Sequence, residues 1–267
     1  MNRKPLISVV TVSFNCVSEI ERTLLSVSDQ TYTELEYIVV DGGSSDGTLD
    51  IINRYRNAID IFVSESDHGI YDAMNKGLDA ATGDWVIFMN AGDKFYSVDT
   101  ITSVFNNPND FQETNHIYGK VVSDFNGRLY HKKLNKLNFL KIGMPFCHQS
   151  VFSRLSYHKR NKFSLNYSIV SDFDFFTKSY QEGSKFARLE SIVSIINPGG
   201  VSDSRRLVAY REKICVAKKY QLSLFDTIRI YVGLVKLTLV VYIKPYIPEN
   251  FLKIKRFTQN ILRRFYG

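Results

Sequence analysis

Acidic and turn-forming residues recur where apolar runs end in the first hundred residues. Asp41 closes "YIVV" and leads into Gly42 and Gly43. Glu65 and Asp67 follow "IFVS", and Asn90, Gly92 and Asp93 follow "WVIFM". Ligands of open parallel sheets bind beyond the carboxyl ends of the strands, so these side chains are expected on one edge. Crowded carboxylates repel unless a cation or hydrogen-bond donors meet them. A hard divalent cation, held by one or two carboxylates and completed by substrate phosphates, satisfies that requirement. Asp93, in the tight "NAGD" turn, is the expected ligand. A single Asp after a strand is more often a turn former, and Asp46 reads as the cap of the next helix. The ordered conjunction is more specific than any of its parts. Further on, "SDFDFF" sets Asp172 and Asp174 two residues apart, which on a helix turns them to different faces.

The elements that must position these residues alternate between strand and helix. Leu6–Ser13, Leu35–Val40, Ile59–Val63 and Trp85–Met89 read as buried strands. A helix with a Ser18/Glu21 capping box, one from about Leu49 and one over Ile70–Ala81 lie between them. Four such units predict a doubly wound, mostly parallel sheet. The pattern then changes. Ile117–Phe125 and Arg128–Lys133 flank Asn126-Gly127, a hairpin signal. His148 and Gln149 precede another apolar strand. Helices over Ser171–Gln181 and Ser204–Tyr220 bracket a strand over Phe186–Ile196. These units predict a domain over 1–222, with halves 1–105 and 106–222, and a tail over 223–267.

The 267 residues are 44% hydrophobic and 13% aromatic, which excludes a disordered chain. Net charge is +11 over 205–267 and −4 over 1–204. The apolar segment Phe225–Ile243 is interrupted by Arg229 and Lys236, so it reads as a basic amphipathic surface segment rather than a membrane span. A second basic stretch runs over Lys253–Arg264. The alternative is a C-terminal helix packed on the domain. Cys16, Cys147 and Cys215 form no CxxC pair, which disfavours a cysteine zinc site and suits reduced thiols in a cytosolic compartment. The run Leu6–Val12 is short for the apolar region of a signal peptide, and a buried strand accounts for it better.

Residues 7–105 resemble the nucleotide-sugar-binding half of family 2 glycosyltransferases of the GT-A fold, of the kind found in bacterial polysaccharide (colanic-acid-type) biosynthesis. The likeness rests on "ISVVTVSFN", "YIVVDGGSSDGT", "SESDHGIYDAMNKGLDAATGDWVIFMNAGD", "MPFCHQSVF" and "SDFDFF", and extends over about 6–203. It implies an α/β GT-A fold with a Rossmann-like donor half and a helical, basic C-terminal appendage. It implies that Thr11 and Ser13 line the nucleotide pocket, that Asp41 contacts the base, and that Asp67 lies beside the nucleoside. "NAGD" takes the place of the family's DxD element. Asn90 stands near the ribose where the family has an acid, and Asp93 remains to hold Mn²⁺ or Mg²⁺ on the diphosphate. "SDFDFF" aligns with the segment bearing the catalytic base, at Asp172. His148 and Gln149 fall on the acceptor side, and Asn197–Ser202 resembles a loop near the donor phosphates.

The expected activity is inverting, metal-assisted transfer of a hexosyl or N-acetylhexosaminyl group from a nucleotide diphosphate donor, such as a UDP-sugar. The expected acceptor is a hydroxyl of a lipid-linked or polysaccharide molecule. The expected setting is the cytoplasmic face of the cell membrane, with the tail on the lipid surface. A nucleotidyltransferase would more often carry a Gly-rich loop with Lys or Arg early in the chain, and "TVSFNCVSEIERT" lacks one. A catalytically inactive sugar-nucleotide binder is a second alternative. The acidic strand ends argue against nucleic acid as a partner.

Overall fold

The computed structural model describes residues 3–107, 110–125, 127–200 and 204–242. Asn126 of the expected hairpin turn, Val201 and Ser202 of the 197–202 loop, and the basic stretch Lys253–Arg264 lie outside the described residues.

The first half is a parallel sheet covered on both faces. Strands β1 (Ile7–Ser13), β2 (Leu35–Asp41), β3 (Ile61–Ser64) and β4 (Trp85–Phe88) lie side by side in the order β3-β2-β1-β4. All seven residues of β1 are buried, which is why its sequence is a continuous run rather than an alternation. Val10 and Val12 pack with Met74 and Leu78 of helix α3 (Ile70–Ala80). Ile7 and Val9 pack on the opposite face with Ile20, Leu24 and Val27 of helix α1 (Ile20–Ser28). Helix α2 (Thr48–Arg54) follows the turn after β2.

Helix α1 departs from the expected capping box. It begins at Ile20 with no side-chain cap, and the turn is closed by the backbone N–H groups of Glu19 and Ile20 on the Cys16 carbonyl. The competing interaction is tertiary. Thr48 Oγ1 accepts from Cys16 N, and Asp46 Oδ2 accepts from Val17 N, so the chain before α1 is moulded by the loop after β2. Asp46 does serve the start of α2, accepting from Thr48 N and Thr48 Oγ1.

Beyond β4 the sheet becomes mixed. Its order continues β4-β8-β6-β9-β5, with β7 beside β6. Here β5 is Lys94–Phe95, β6 His116–Phe125, β7 Arg128–His131, β8 Val151–Arg154 and β9 Phe186–Ile196. Strand β8 is antiparallel to both β4 and β6, whereas β9 runs parallel to β6. Short helices α4 (Thr100–Val104) and α5 (Leu155–Arg160) connect these strands, and α6 (Ser171–Gln181) packs Phe173, Phe175 and Phe176 into the core. His116 is fully buried among Tyr157, Phe175, Phe176 and Phe186, with a serine hydroxyl at each ring nitrogen. Burial pushes its pKa down to about 3, so it is a neutral core residue.

Helix α7 (Arg206–Lys219) lies against α6, and α8 (Leu224–Tyr242) packs on α7. The inner face of α8 contributes Ile230 and Leu234 to a small core with Ile214 and Ala217. Its outer face exposes Leu224, Phe225, Ile228, Val232, Val235 and Leu239. Among the described residues, no helix is long and apolar enough to cross a membrane.

Candidate active site

At the β2 rim the carboxylate is part of the scaffold. Asp41 is fully buried and accepts five hydrogen bonds, from Ser13 Oγ, Gly43 N, Ser44 N, Ser44 Oγ and Ser64 Oγ. The expected contact of Asp41 with a base is therefore replaced by a different task, which is to hold the 43–44 turn against β1 and β3. Ser13 serves the same network. Thr11 is also displaced from the expected pocket. It is fully buried, with its hydroxyl 3.0 Å from the Tyr37 hydroxyl. Strand alternation sets it on the face of Val9, inside the layer beneath α1.

Asp67 is the open acid of this rim. Its Oδ1 accepts from Gly69 N, and a Cβ added at Gly42 would lie 2.3 Å from its Oδ2. Gly42 thus leaves the space that Asp67 occupies. Glu65 is drawn off into an ion pair with Lys76 at 2.8 Å. The strand-end acids are consequently not one crowded cluster, as their spacing had suggested.

At the β4 rim the arrangement is different. Asp93 is 6% exposed, with one oxygen accepting from Asn197 N and the other from Gln149 Nε2, each at 2.9 Å. Burial raises its pKa against these two hydrogen bonds. The turn is held by Thr23 of α1, whose hydroxyl donates to the Asp93 carbonyl and accepts from Gly92 N. Gly92 has φ +94°, a left-handed conformation that favours glycine. Asn90 Oδ1 is buried without a hydrogen-bond partner. Among the described residues, no three His, Cys, Asp or Glu side chains are grouped to hold a metal. A buried carboxylate with one donor on each oxygen, and an unpartnered amide oxygen three residues earlier in the same turn, fit a hard cation whose remaining ligands come from a substrate.

Asn90 also starts a chain of contacts that leaves the donor half. Its Nδ2 is 3.1 Å from His148 Nε2, and His148 Nδ1 is 3.4 Å from Asp172 Oδ2. With a hydrogen on Nδ1, His148 faces the carboxylate with N–H, and its Nε2 lies at the Asn90 amide. Asp172 stands in the first turn of α6. Its Oδ1 accepts from Phe173 N at 2.8 Å and from the Tyr71 hydroxyl at 3.2 Å. The single Tyr71 hydrogen is shared with the Ile169 carbonyl, which is nearer at 2.7 Å, and burial pushes the Tyr71 pKa well up. Asp174 points away, bound by Lys219 Nζ at 2.8 and 3.0 Å.

The structure therefore brings Asn90, Asp93, His148, Gln149 and Asp172 together, places Asp67 at the neighbouring rim, and takes Thr11, Ser13 and Asp41 into the interior. Several partners escaped the sequence reading. Thr23 and Tyr71 act through hydrogen bonds to distant residues. Glu212 of α7 accepts from the backbone N–H groups of Ser168, Ile169 and Val170, bracing the segment that leads into α6. No local motif marks such contacts.

A parallel half and a mixed second half that meet at Asn90, His148 and Asp172 agree with the architecture that the sequence resemblance implies. Residues 8–161 match the family described as Glycosyl transferase family 2, and the chain belongs to it. It is 30% identical over 206 residues to the PGL/p-HBAD biosynthesis glycosyltransferase Rv2957 of Mycobacterium tuberculosis, covering 75% of this chain and 80% of that one. It is 41% identical over 97 residues to the putative teichuronic acid biosynthesis glycosyltransferase TuaG of Bacillus subtilis, 35% of this chain and 38% of that one. Among solved structures it resembles S. aureus TarS 1–349 in complex with UDP-GlcNAc, with TM-score 0.66 and 19% identity over 88% of this chain and 72% of that one. Against another TarS chain it spans 43% of that chain's length. It also resembles the mannosyltransferase PcManGT of Pyrobaculum calidifontis in complex with GDP-Man and Mn²⁺, with TM-score 0.63 and 16% identity over 89% and 76% of the two chains. These structural likenesses establish the GT-A fold.

Proposed function

We propose that the chain is an inverting glycosyltransferase that moves a hexosyl or N-acetylhexosaminyl group from a UDP-sugar to an acceptor hydroxyl, with Asp172 as general base. The observation that carries this reading is the Asn90–His148–Asp172 chain of contacts, which joins the strand-end turn of the donor half to the acidic helix start of the acceptor half. Asp67 and Gly42 form the nucleoside end of the donor site, and the Asn90–Asp93 turn its diphosphate end. Asp93 would hold Mn²⁺ or Mg²⁺ there, which when bound offsets the charge that grows on the leaving diphosphate. Asp172 takes the proton of the acceptor hydroxyl. The acceptor oxygen bonds to the anomeric carbon from the face opposite the breaking bond, so configuration inverts. Asp174 cannot share this work while Lys219 holds it. A solved relative carrying UDP-GlcNAc supports the donor class, and one carrying GDP-Man and Mn²⁺ supports a divalent ion.

The test is a panel of nucleotide sugars with Mn²⁺, read by thermal stabilisation and slow donor hydrolysis. Asp172→Asn is expected to keep donor-induced stabilisation and to lose about 10²–10⁴-fold in transfer. Unimpaired transfer by this variant would end the assignment of the base.

The acceptor in this reading is a lipid-linked or polysaccharide molecule of the cell envelope, met at the cytoplasmic face of the membrane. The exposed apolar face of α8 and the net charge of +11 over 205–267 support docking on an anionic lipid surface. Removal of residues 224–267 is expected to abolish co-sedimentation with phosphatidylglycerol vesicles; retained sedimentation refutes this role of the tail.

A further inference from the structure

Among the described residues, the Lys213 ammonium meets aromatic rings rather than a paired carboxylate. Lys213 projects from α7 beside the start of α6, with its Nζ 5.1 Å from the centre of the Tyr210 ring and 6.0 Å from that of Phe173, the residue after Asp172. Among the described residues, no hydrogen bond or ion pair reaches it. The Gly143 backbone borders it on the far side, where an added Cβ would lie 3.8 Å from Nζ. Its neighbour Glu212 is committed elsewhere, to the amides of 168–170. Burial lowers the pKa of the ammonium, and only the through-space charge of Asp172 opposes that. Charged groups partly withdrawn from water are ordinarily paired, and half-buried Lys213 has no such partner among the described residues.

A second observation points the same way. The segment leading to Gly143 contains His131, Lys132, Lys133, Lys136 and Lys141 and no acid. None of the five side chains is paired with a carboxylate among the described residues, and all five are exposed. The run begins at a depression of about 400 Å³ where Lys120, His131, Lys132 and Arg188 face a single acid, Glu190. Glu190 pairs with Lys120 and Arg188 there, and the unpaired positive charge runs along the chain from His131 to Lys141, two residues before the Gly143 backbone that borders Lys213.

We propose that Lys213 is an anion-binding residue of the acceptor site, and that the acceptor carries a phosphate or carboxylate next to the hydroxyl that is glycosylated. The basic run over 131–141 gathers the rest of an anionic acceptor by long-range attraction. This assignment rests on the glycosyltransferase reading with Asp172 as base, and it adds the chemical class of the acceptor. Lys213 holds the anion, and that contact sets the hydroxyl within reach of Asp172.

The experiment is calorimetric titration of the full chain, saturated with UDP and Mg²⁺, with octyl phosphate below its micellar concentration. Octyl glucoside is the neutral control. Octyl phosphate is expected to bind and octyl glucoside not to. Lys213→Gln is expected to weaken octyl phosphate at least tenfold, Lys213→Arg to restore most of the affinity, and UDP affinity to stay the same in both. Unchanged octyl phosphate affinity in Lys213→Gln overturns the proposal. So does a selective loss of UDP affinity, which would put the lysine on the donor diphosphate. UDP binding to the wild-type chain is read separately. Lys213-dependent phosphate binding by a chain that takes no UDP would sustain the anion site while removing the donor reading.

Discussion

The rims of β2 and β4 present the same signal in sequence, an acid at the end of a buried parallel strand, and put it to opposite uses. Asp41 has both oxygens occupied by five donors supplied by its own turn and by β1 and β3. Asp93 has two, from Gln149 and Asn197, and burial raises its pKa. A carboxylate saturated by protein donors has finished its electrostatic work in the fold. One left short of donors still has work for a ligand. The number of donors that reach each acid, rather than its place after a strand, is what distinguishes Asp41 from Asp93, the proposed ligand.

This contrast can be broken by exchanging the outcomes of two substitutions. Asp41→Ala strands several buried donors and is expected to cost roughly 3–5 kcal/mol of stability in urea unfolding. Asp93→Ala, which strands the Asn197 and Gln149 donors but also removes a buried charge, is expected to cost about 1–3 kcal/mol, less than Asp41→Ala, while losing Mn²⁺-dependent UDP stabilisation and about 10²–10³-fold in transfer. A stable Asp41→Ala protein, or an Asp93→Ala protein that still binds UDP through Mn²⁺, would erase the distinction. The pH dependence of stability sharpens it. His116 and His158 titrate at about 3 in the fold against an ordinary 6.5, so below pH 6.5 the unfolded chain binds more protons. Their contribution is complete above pH 6.5 and is lost as pH falls towards 3, at roughly 1.4 kcal/mol per pH unit for each. His116→Gln is expected to flatten that part of the acid-unfolding curve by about one proton. Asp93 has the opposite sign. Its raised pKa means that ionisation in the fold costs stability, a cost absent at pH below the ordinary carboxyl value of 3.8 and growing as pH rises through the folded value. Asp93→Asn is therefore expected to be slightly more stable than wild type at pH 7, by no more than about 1 kcal/mol, and no different near pH 3.

Much of the parallel half was legible, because its strands are buried on both faces and its helices carry one apolar stripe. Ser171–Gln181 and Phe186–Ile196 have the expected ends for the same reason. Thr11 was misplaced because a polar residue in a central strand looks like a pocket residue until its partner is known; Tyr37 Oη is that partner. The capping box at Ser18 lost to Asp46 and Thr48, which hold the preceding chain from another element. Separating Asp172 from Asp174 by helical facing was possible from spacing alone. The contacts of Lys219, Tyr71 and His148 that differentiate the two acids depend on tertiary placement. Strand β5, helices α4 and α5 and the antiparallel β8 are short, and their pairing is decided by neighbours far along the chain.

The brace that α7 provides has a consequence for how such a chain can diversify. The family match ends at residue 161, yet the backbone before Asp172 is gripped by Glu212, and Asp174 is moored by Lys219. The seat of the proposed base is therefore braced by α7, which lies beyond the residues that the family model matches. On the proposed reading, a change confined to α7 would alter the surroundings of Asp172 while leaving strands β1 to β4 and their turns untouched.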